Sequence, residues 1–521
     1  MRLASYFSFV FCFLSFSIAY GQGGSFFSTY NTGHNLERII STNDGNYLLC
    51  IWDSANGIRK VDPNGLLIWE KRISYPLLDA TPYINGVIQT SDSGYVVEMT
   101  GVLNTTQRIV IWKSDKNGNF LWTKEYYNNN SDIGDGLCSG LNGGFVFSGG
   151  GCSGNNFIIS CDASGNILWQ KQYVEVNAAY SASRLFLDGA NIIAFGNYAS
   201  LSSPTVVLGM FSLDLASGNI NWFRHYPSQG VHELPSTCKI AETSDNGFVV
   251  TGQSLDSITS FYRVFVLKTD SAGNLLYYNI YSNNKGTGGS DIAVLQNGNI
   301  VVTGSAAYTD NRNTQMMNMC VDPVVGNVIW CRTGGNIVNN GAGNDLSVGC
   351  VADGNYFYTC GIVCDSVGDG FFDRLDSNGY GWCNEDTLIM TKTARNIVQV
   401  NSSITINQMP FVSGTLAHFS SSGSVQQSVS CTYMNNVQVM QNDNSYSFFF
   451  YPSPGNGKCN LNSSEKIVQL IVSDVSGRAL TKIIRPEPDV NIDFSPFGKG
   501  IYFATAIFEN GYIGTTCFII Q

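Results

Sequence analysis

The chain has 521 residues, with 28 Lys and Arg against 39 Asp and Glu, a formal charge of -11, 55 glycines and 12% aromatics. That length exceeds one ordinary globular core unless the core is a repeating ring, and this composition suits short strands joined by tight turns better than helices. Basic residues form no cluster, which argues against nucleic acid and anionic lipid surfaces as partners.

Residues 1–21 read as a signal peptide. Arg2 supplies the positive region, Phe7 to Ile18 the apolar stretch, and Ala19 and Gly21 the small residues before cleavage at Gln22. The apolar run is short for a bilayer, and no other stretch approaches a spanning length, so no stable transmembrane segment is expected. Cleavage removes Cys12 and leaves 14 of the 15 cysteines in a compartment that permits disulfides. Cys138, Cys152 and Cys161 fall in one repeat, and Cys350, Cys360, Cys364 and Cys383 in another, so local bridges are open to them. Cys360 and Cys364 lack a second pair or a nearby histidine, which argues against a zinc site.

From residue 22 to 386 one phrase recurs seven times: an Asp, a Gly-containing turn, then an apolar strand with an aromatic. The copies start at Asp62, Asp115, Asp162, Asp214, Asp270, Asp322 and Asp376, spaced by 53, 47, 52, 56, 52 and 54 residues. Their aromatics are Trp69, Trp122, Trp169, Trp222, Tyr277, Trp330 and Trp382. A second phrase upstream, such as SDNGFVVTG from Ser244, and a further apolar run before it complete each unit. The third unit parses as DGLCSG, GGFVFSGG, NNFIISCD and NILWQKQY, four strands joined by Asn, Asp and Gly turns. A four-stranded antiparallel unit at this period predicts an all-β fold, a β-propeller of about seven blades, with an all-β solenoid as the alternative. Ser25 to Tyr30 resembles a last strand and is expected to complete the final blade; a degenerate eighth blade after Glu385 is the competing arrangement.

The seven aspartates are read as turn caps, because a carboxylate at a strand end accepts hydrogen bonds from turn amides while Gly supplies the positive φ. None lies in a calcium loop with acids at alternate positions. The aromatics are expected to pack against the neighbouring blade. Residues 387–447 are rich in Ser, Asn and Gln and read as a β linker or a degenerate blade.

The last segment, 448–521, carries Tyr451, Pro452, Pro454 and Gly457, then Asp474, Gly477 and Arg478, then Gly500 and Tyr502 before a closing apolar strand. Read from its residues, it is a small β-sandwich with a Pro-rich opening and a hairpin turn at Asp474 to Gly477. In order and spacing it resembles the C-terminal (Por-type) sorting domain of type IX secretion cargo of Bacteroidetes. It departs at Ser453, where that family usually carries Asn, and at Cys459 and Cys517. The resemblance implies passage through the periplasm to the outer cell surface or medium, with the type IX machinery as a partner.

Chemistry is sparsely marked. The four histidines are His34, His225, His232 and His418, and no G-x-S-x-G elbow, H-E-x-x-H helix or P-loop occurs. The phrase DLASGNINW resembles the docking motif of quinoprotein propellers, but most copies are one residue shorter. No catalytic residue, metal or cofactor is assigned. Ser, Thr, Asn and Tyr-rich loops point to a non-catalytic binding, adhesion or scaffold protein with a glycan or protein ligand. The alternative is a secreted carbohydrate-active enzyme, a glycosidase or polysaccharide lyase, with paired carboxylates or a carboxylate beside a basic residue.

Overall fold

A computed structural model describes residues 25–30, 35–52, 56–74, 82–103, 105–127, 132–151, 156–174, 178–200, 206–226, 231–256, 259, 261–283, 285–309, 313–334, 345–363, 369–381, 386–395, 405–407, 412–415, 419–422, 427–433, 448–451, 457–463, 466–473, 479–484, 491–509 and 513–520. The signal-peptide segment and Trp382 lie outside these residues. Contacts divide the chain into a unit spanning Gly24–Tyr433 and a second unit that holds the C-terminal strands.

Each repeat folds as the turn chemistry dictates. In the third, the strands Asp132–Ser139, Phe145–Gly151, Asn156–Cys161 and Ile167–Val174 pair antiparallel in chain order. Among the described residues six such sheets form, and a seventh pairs three consecutive strands with one from the start of the chain; they are numbered here 1 to 7 from the N-terminal end. Their first strands are Asn35–Ser41, Tyr83–Gln89, Asp132–Ser139, Ala178–Asp188, Val231–Glu242, Thr287–Val294 and Leu346–Asp353. Each first strand meets that of the next sheet, and the seventh meets the first, so these strands surround an axial channel. The fold is an all-β propeller.

The apolar core lies between neighbouring blades. Leu48 and Ile58 of blade 1 pack with Tyr95, Val97 and Val110 of blade 2, and Tyr358 and Phe372 of blade 7 pack with Tyr47 and Leu49 of blade 1. Middle strands are therefore covered on both faces and read as near-continuous apolar runs such as Tyr47–Trp52.

Closure uses the chain's first described strand. Ser25–Tyr30 pairs antiparallel with Asp369–Asp376, placing Phe27 opposite Asp373, and so becomes the fourth strand of blade 7. The outer side of that strand then pairs with Gln427–Tyr433. This last pairing ends a belt. Short strands from the Ser, Asn and Gln-rich segment add a fifth strand to the rims of the blades named next. They are Asp386–Thr387 on blade 6, Thr391–Ala394 on blade 5, Thr405–Asn407 on blade 3, Val412–Thr415 on blade 2 and Phe419–Ser422 on blade 1. The belt thus travels round the ring against the order in which the blades were laid down, covering sheet edges that would otherwise present unpaired amides.

In the C-terminal unit, Phe448–Tyr451, Lys458–Ser463 and Asn491–Asp493 form one sheet, and Ile467–Ser473, Ala479–Ile484, Gly500–Phe508 and Ile513–Ile520 another. Both contribute to one apolar core, with Phe450, Leu461, Leu470, Val472, Ala504 and Phe518 all buried.

Candidate functional site

All seven marker aspartates sit in the turn between third and fourth strands. Asp115 Oδ1 accepts the amides of Asn117 and Asn119, each at 2.8 Å, and its other oxygen accepts Asn119 Nδ2 at 3.0 Å. Asp162 and Asp270 repeat this set. Asp62, Asp214, Asp322 and Asp376 accept turn amides in the same way.

The aromatics reach across to the next blade's turn. The glycine there has positive φ, 73° at Gly118 and 77° at Gly165. A Cβ on Gly118 would lie 2.8 Å from the Trp69 ring, and one on Gly165 2.8 Å from that of Trp122. Trp169, Trp222, Tyr277 and Trp330 cover Gly218, Gly273, Gly326 and Gly379 likewise. A second group, absent from the sequence reading, joins this seam. Tyr126, Tyr173, Tyr226 and Tyr281, each four residues after the aromatic, donate their hydroxyls to the carbonyls of Gly165, Gly218, Gly273 and Gly326 at 2.6–2.8 Å. Asp and Trp are parts of one inter-blade joint, and nothing about them suggests chemistry.

In the C-terminal unit, Gly457 has φ 88° and its Cα abuts Ser495, so a side chain has no room. The Tyr502 hydroxyl donates to the carbonyls of Phe497 at 2.6 Å and Gly498 at 3.0 Å while its ring packs on Phe518. Gly500 opens the strand that carries Tyr502, and Tyr451 ends the strand from Phe448. Pro452, Pro454, Asp474, Gly477 and Arg478 lie outside the described residues.

The converging polar groups lie on the axis. Every first strand of the ring carries a β-bulge at the same level: after Leu36, Ile84, Gly134, Ser181, Leu234, Gly289 and Ser347. A bulge twists the strand and re-aims a side chain. The residues resuming the ladder after it are Arg38, Gly86, Gly136, Arg184, Lys239, Asp291 and Gly349. Arg38 Nε donates to the Asn85 carbonyl of blade 2 at 3.4 Å, and Arg184 Nη1 to the Asp135 carbonyl of blade 3 at 2.7 Å. Asp291 accepts the amides of Ile292 at 2.9 Å and Cys350 at 3.0 Å.

Two aromatics stand at one end of this ring. Trp52 closes the second strand of blade 1, opposite Asn35, and Tyr83 opens the first strand of blade 2. They are 39% and 45% exposed, and their rings meet edge to face at 6.0 Å. The Tyr83 hydroxyl lies against the Glu37 carboxyl, beside Arg38, with Arg184 also acting on Tyr83. Burial pushes Glu37 above the usual carboxylate range, partly offset by Arg38 and Tyr83. Burial lowers Lys239 to about 7, and Arg38 and Arg184 push the same way. Sequence inspection missed this set because its members share no phrase; the signal is a charged residue near the middle of the first strands of blades 1, 4, 5 and 6, where the other three carry Gly.

The remaining candidates are structural. His225 is buried edge-on to Phe223 at 4.4 Å, and burial lowers it to about 4. The described cysteines Cys50, Cys138, Cys161, Cys320, Cys331, Cys350, Cys360 and Cys459 are buried free thiols, so none of them forms a local bridge. Among the described residues no three metal-binding side chains cluster, and no helix is long and apolar enough to cross a membrane.

Comparison with known proteins supplies a family for the tail. No curated protein matches the chain. A protein of unknown function from Bacteroides caccae is 13% identical, covering 69% of this chain and 99% of its own, with a TM-score of 0.31. The Cps50 (Swd1) β-propeller domain of Myceliophteria thermophila is 9% identical, covering 67% and 99%, with a TM-score of 0.41. The α-L-arabinofuranosidase Arb93A from Fusarium graminearum is 10% identical, covering 68% and 97%, with a TM-score of 0.37. Residues 449–521 match the family described as a secretion system C-terminal sorting domain, and this chain therefore carries the sorting domain of type IX secretion cargo.

Proposed function

We propose that this exported cargo works at the cell surface or in the medium as a non-catalytic binding protein, holding a glycan at the mouth of its axial channel. The sorting domain supplies the export route. The observation that carries the reading is the exposed Trp52–Tyr83 pair, edge to face at 6.0 Å and backed by Glu37 and Arg38. Flat aromatic faces receive the apolar face of a sugar ring, while neighbouring carboxylate and guanidinium groups take its hydroxyls. Both aromatics begin or end strands of a rigid ring, so the platform forms before ligand arrives.

The test is a binding screen of the mature full-length protein against immobilised glycans, followed by titration of the hits. Joint replacement of Trp52 and Tyr83 by Ala is expected to weaken the best ligand about tenfold or more, with the thermal midpoint retained. Unchanged affinity in that variant would remove the mouth as the site. Ligand turnover abolished by Glu37→Gln would replace binding by catalysis.

A further inference from the structure

Below the aromatic pair, the channel wall carries three basic groups. Arg38, Arg184 and Lys239 occupy the same register position on blades 1, 4 and 5, the first residue after the bulge. Each belongs to a different repeat, so three separate positions in the chain bring cations to one level of the axis. The two arginines have partial explanations: each donates to a carbonyl of a neighbouring blade. Arg38 Nη1 also reaches the Glu37 carbonyl at 3.3 Å.

Lys239 has no such explanation. Among the described residues it makes no hydrogen bond and no ion pair, and Arg38, Arg184 and Asp291 are the charged groups acting on it. Asp291 is the acid that faces it, yet both oxygens of that carboxylate are engaged by the backbone amides of Ile292 and Cys350. Asp291 supplies one negative charge against three cations, so an ammonium beside two guanidiniums is still held at a cost that an added anion would relieve. Burial, then Arg38 and Arg184, lower Lys239 to about 7 against the opposing pull of Asp291, as expected where cations outnumber the acid that faces them.

Arg38 and Arg184 act on Tyr83 and also on Lys239, which links the aromatic pair to the cations. Resting on the binding reading above, we infer that the ligand is an acidic saccharide, whose carboxylate or sulfate group enters the channel and binds Lys239 between Arg38 and Arg184 while a sugar ring stacks on Trp52 and Tyr83. Guanidinium forks take such oxyanions in paired hydrogen bonds, and the lysine adds a point charge. The chain as a whole is acidic, at -11. A basic pocket in an acidic protein selects for a ligand that presents its charge locally, and disfavours a long polyanion lying along the outer surface.

The test uses the mature full-length protein and three probes: a uronic-acid oligosaccharide, a neutral oligosaccharide of the same length, and inorganic sulfate. The acidic oligosaccharide is expected to bind about tenfold or more tightly than the neutral one, with a preference that falls as salt rises. Lys239→Met is expected to erase that preference and leave neutral binding unchanged. Arg184→Gln gives an independent variant should the methionine protein fail to fold. Sulfate is expected to raise the thermal midpoint of the parent protein and not of Lys239→Met. Equal binding of the two oligosaccharides, unaffected by Lys239→Met, overturns the anion inference and leaves the glycan reading standing. Loss of all saccharide binding with a retained, Lys239-dependent sulfate shift overturns the glycan reading and supports the anion subsite.

Discussion

Glu98 sits in the middle of the second strand of blade 2, between apolar neighbours, with no exposed surface. Neither carboxyl oxygen has a hydrogen-bond donor. Room for it comes from two glycines: a Cβ on Gly134 would lie 2.5 Å from its Oε1, and one on Gly86 3.5 Å from Oε2. Burial raises its pKa well above the ordinary value of 4.5, with Asp135 adding to the shift and Arg184 opposing it. A raised carboxyl favours the folded state fully below the unfolded pKa, and that stability is lost as pH rises through the folded value. Glu98→Gln keeps the shape and removes the ionisation. It is expected to stabilise the protein by ~1 kcal/mol or more at about pH 8 and to change nothing at about pH 4, read from urea unfolding midpoints. A gain of equal size at both pH values would show that ionisation is not the cause.

At the scale of elements, the belt and the inter-blade joint divide the work of holding the ring. Among the described residues, joints lock the fourth strands of blades 1 to 6 to the next turn through a ring-on-glycine contact and, in four seams, a tyrosine hydroxyl. The belt instead seals rims. On blade 1 it covers Lys71 to Ser74, and on blade 2 Lys124 to Tyr127. Excising 386–433 and joining the flanks is expected to lower the thermal midpoint by several degrees, since each lost strand removes backbone bonds worth roughly 0.5–1.5 kcal/mol apiece. Amide exchange should rise at Lys71–Ser74 and Lys124–Tyr127; unaltered exchange there would deny the belt any protective role.

The joint was half legible in the sequence. Asp, Gly and the aromatic recur at nearly constant offsets, with Gly three or four residues and the aromatic six to eight residues after the Asp, so cap and packing aromatic could be read, and Ser25–Tyr30 resembled a missing fourth strand. The partner of each Trp could not, because it lies one period downstream. The belt left no pattern, since strands of two to seven polar residues have no alternation to detect. Arg38, Arg184 and Lys239 were hidden for another reason: the hairpin joining second and third strands is shorter in blade 1 than in blades 4 and 5, so register-equivalent residues stand at unequal distances from the marker aspartates.

At the scale of the whole molecule, the two units carry separable tasks. The ring presents the channel, and residues 449–521 carry the sorting signal. A chain ending before residue 449 is expected to accumulate in the periplasm, whereas the complete chain reaches the surface or medium, as cell fractionation and immunoblotting would show. Equal appearance of both outside the cell would separate export from the tail.

The belt's direction has a consequence for biosynthesis. Its last strand, Gln427–Tyr433, rests on Ser25–Tyr30, the first strand of the ring, so the far ends of a 400-residue stretch are stitched together by the final segment to leave the ribosome before the tag. Premature termination anywhere upstream forfeits the fastening and the address label in a single event. Any molecule able to present its tag for dispatch has therefore already received every strand needed to finish its own seal.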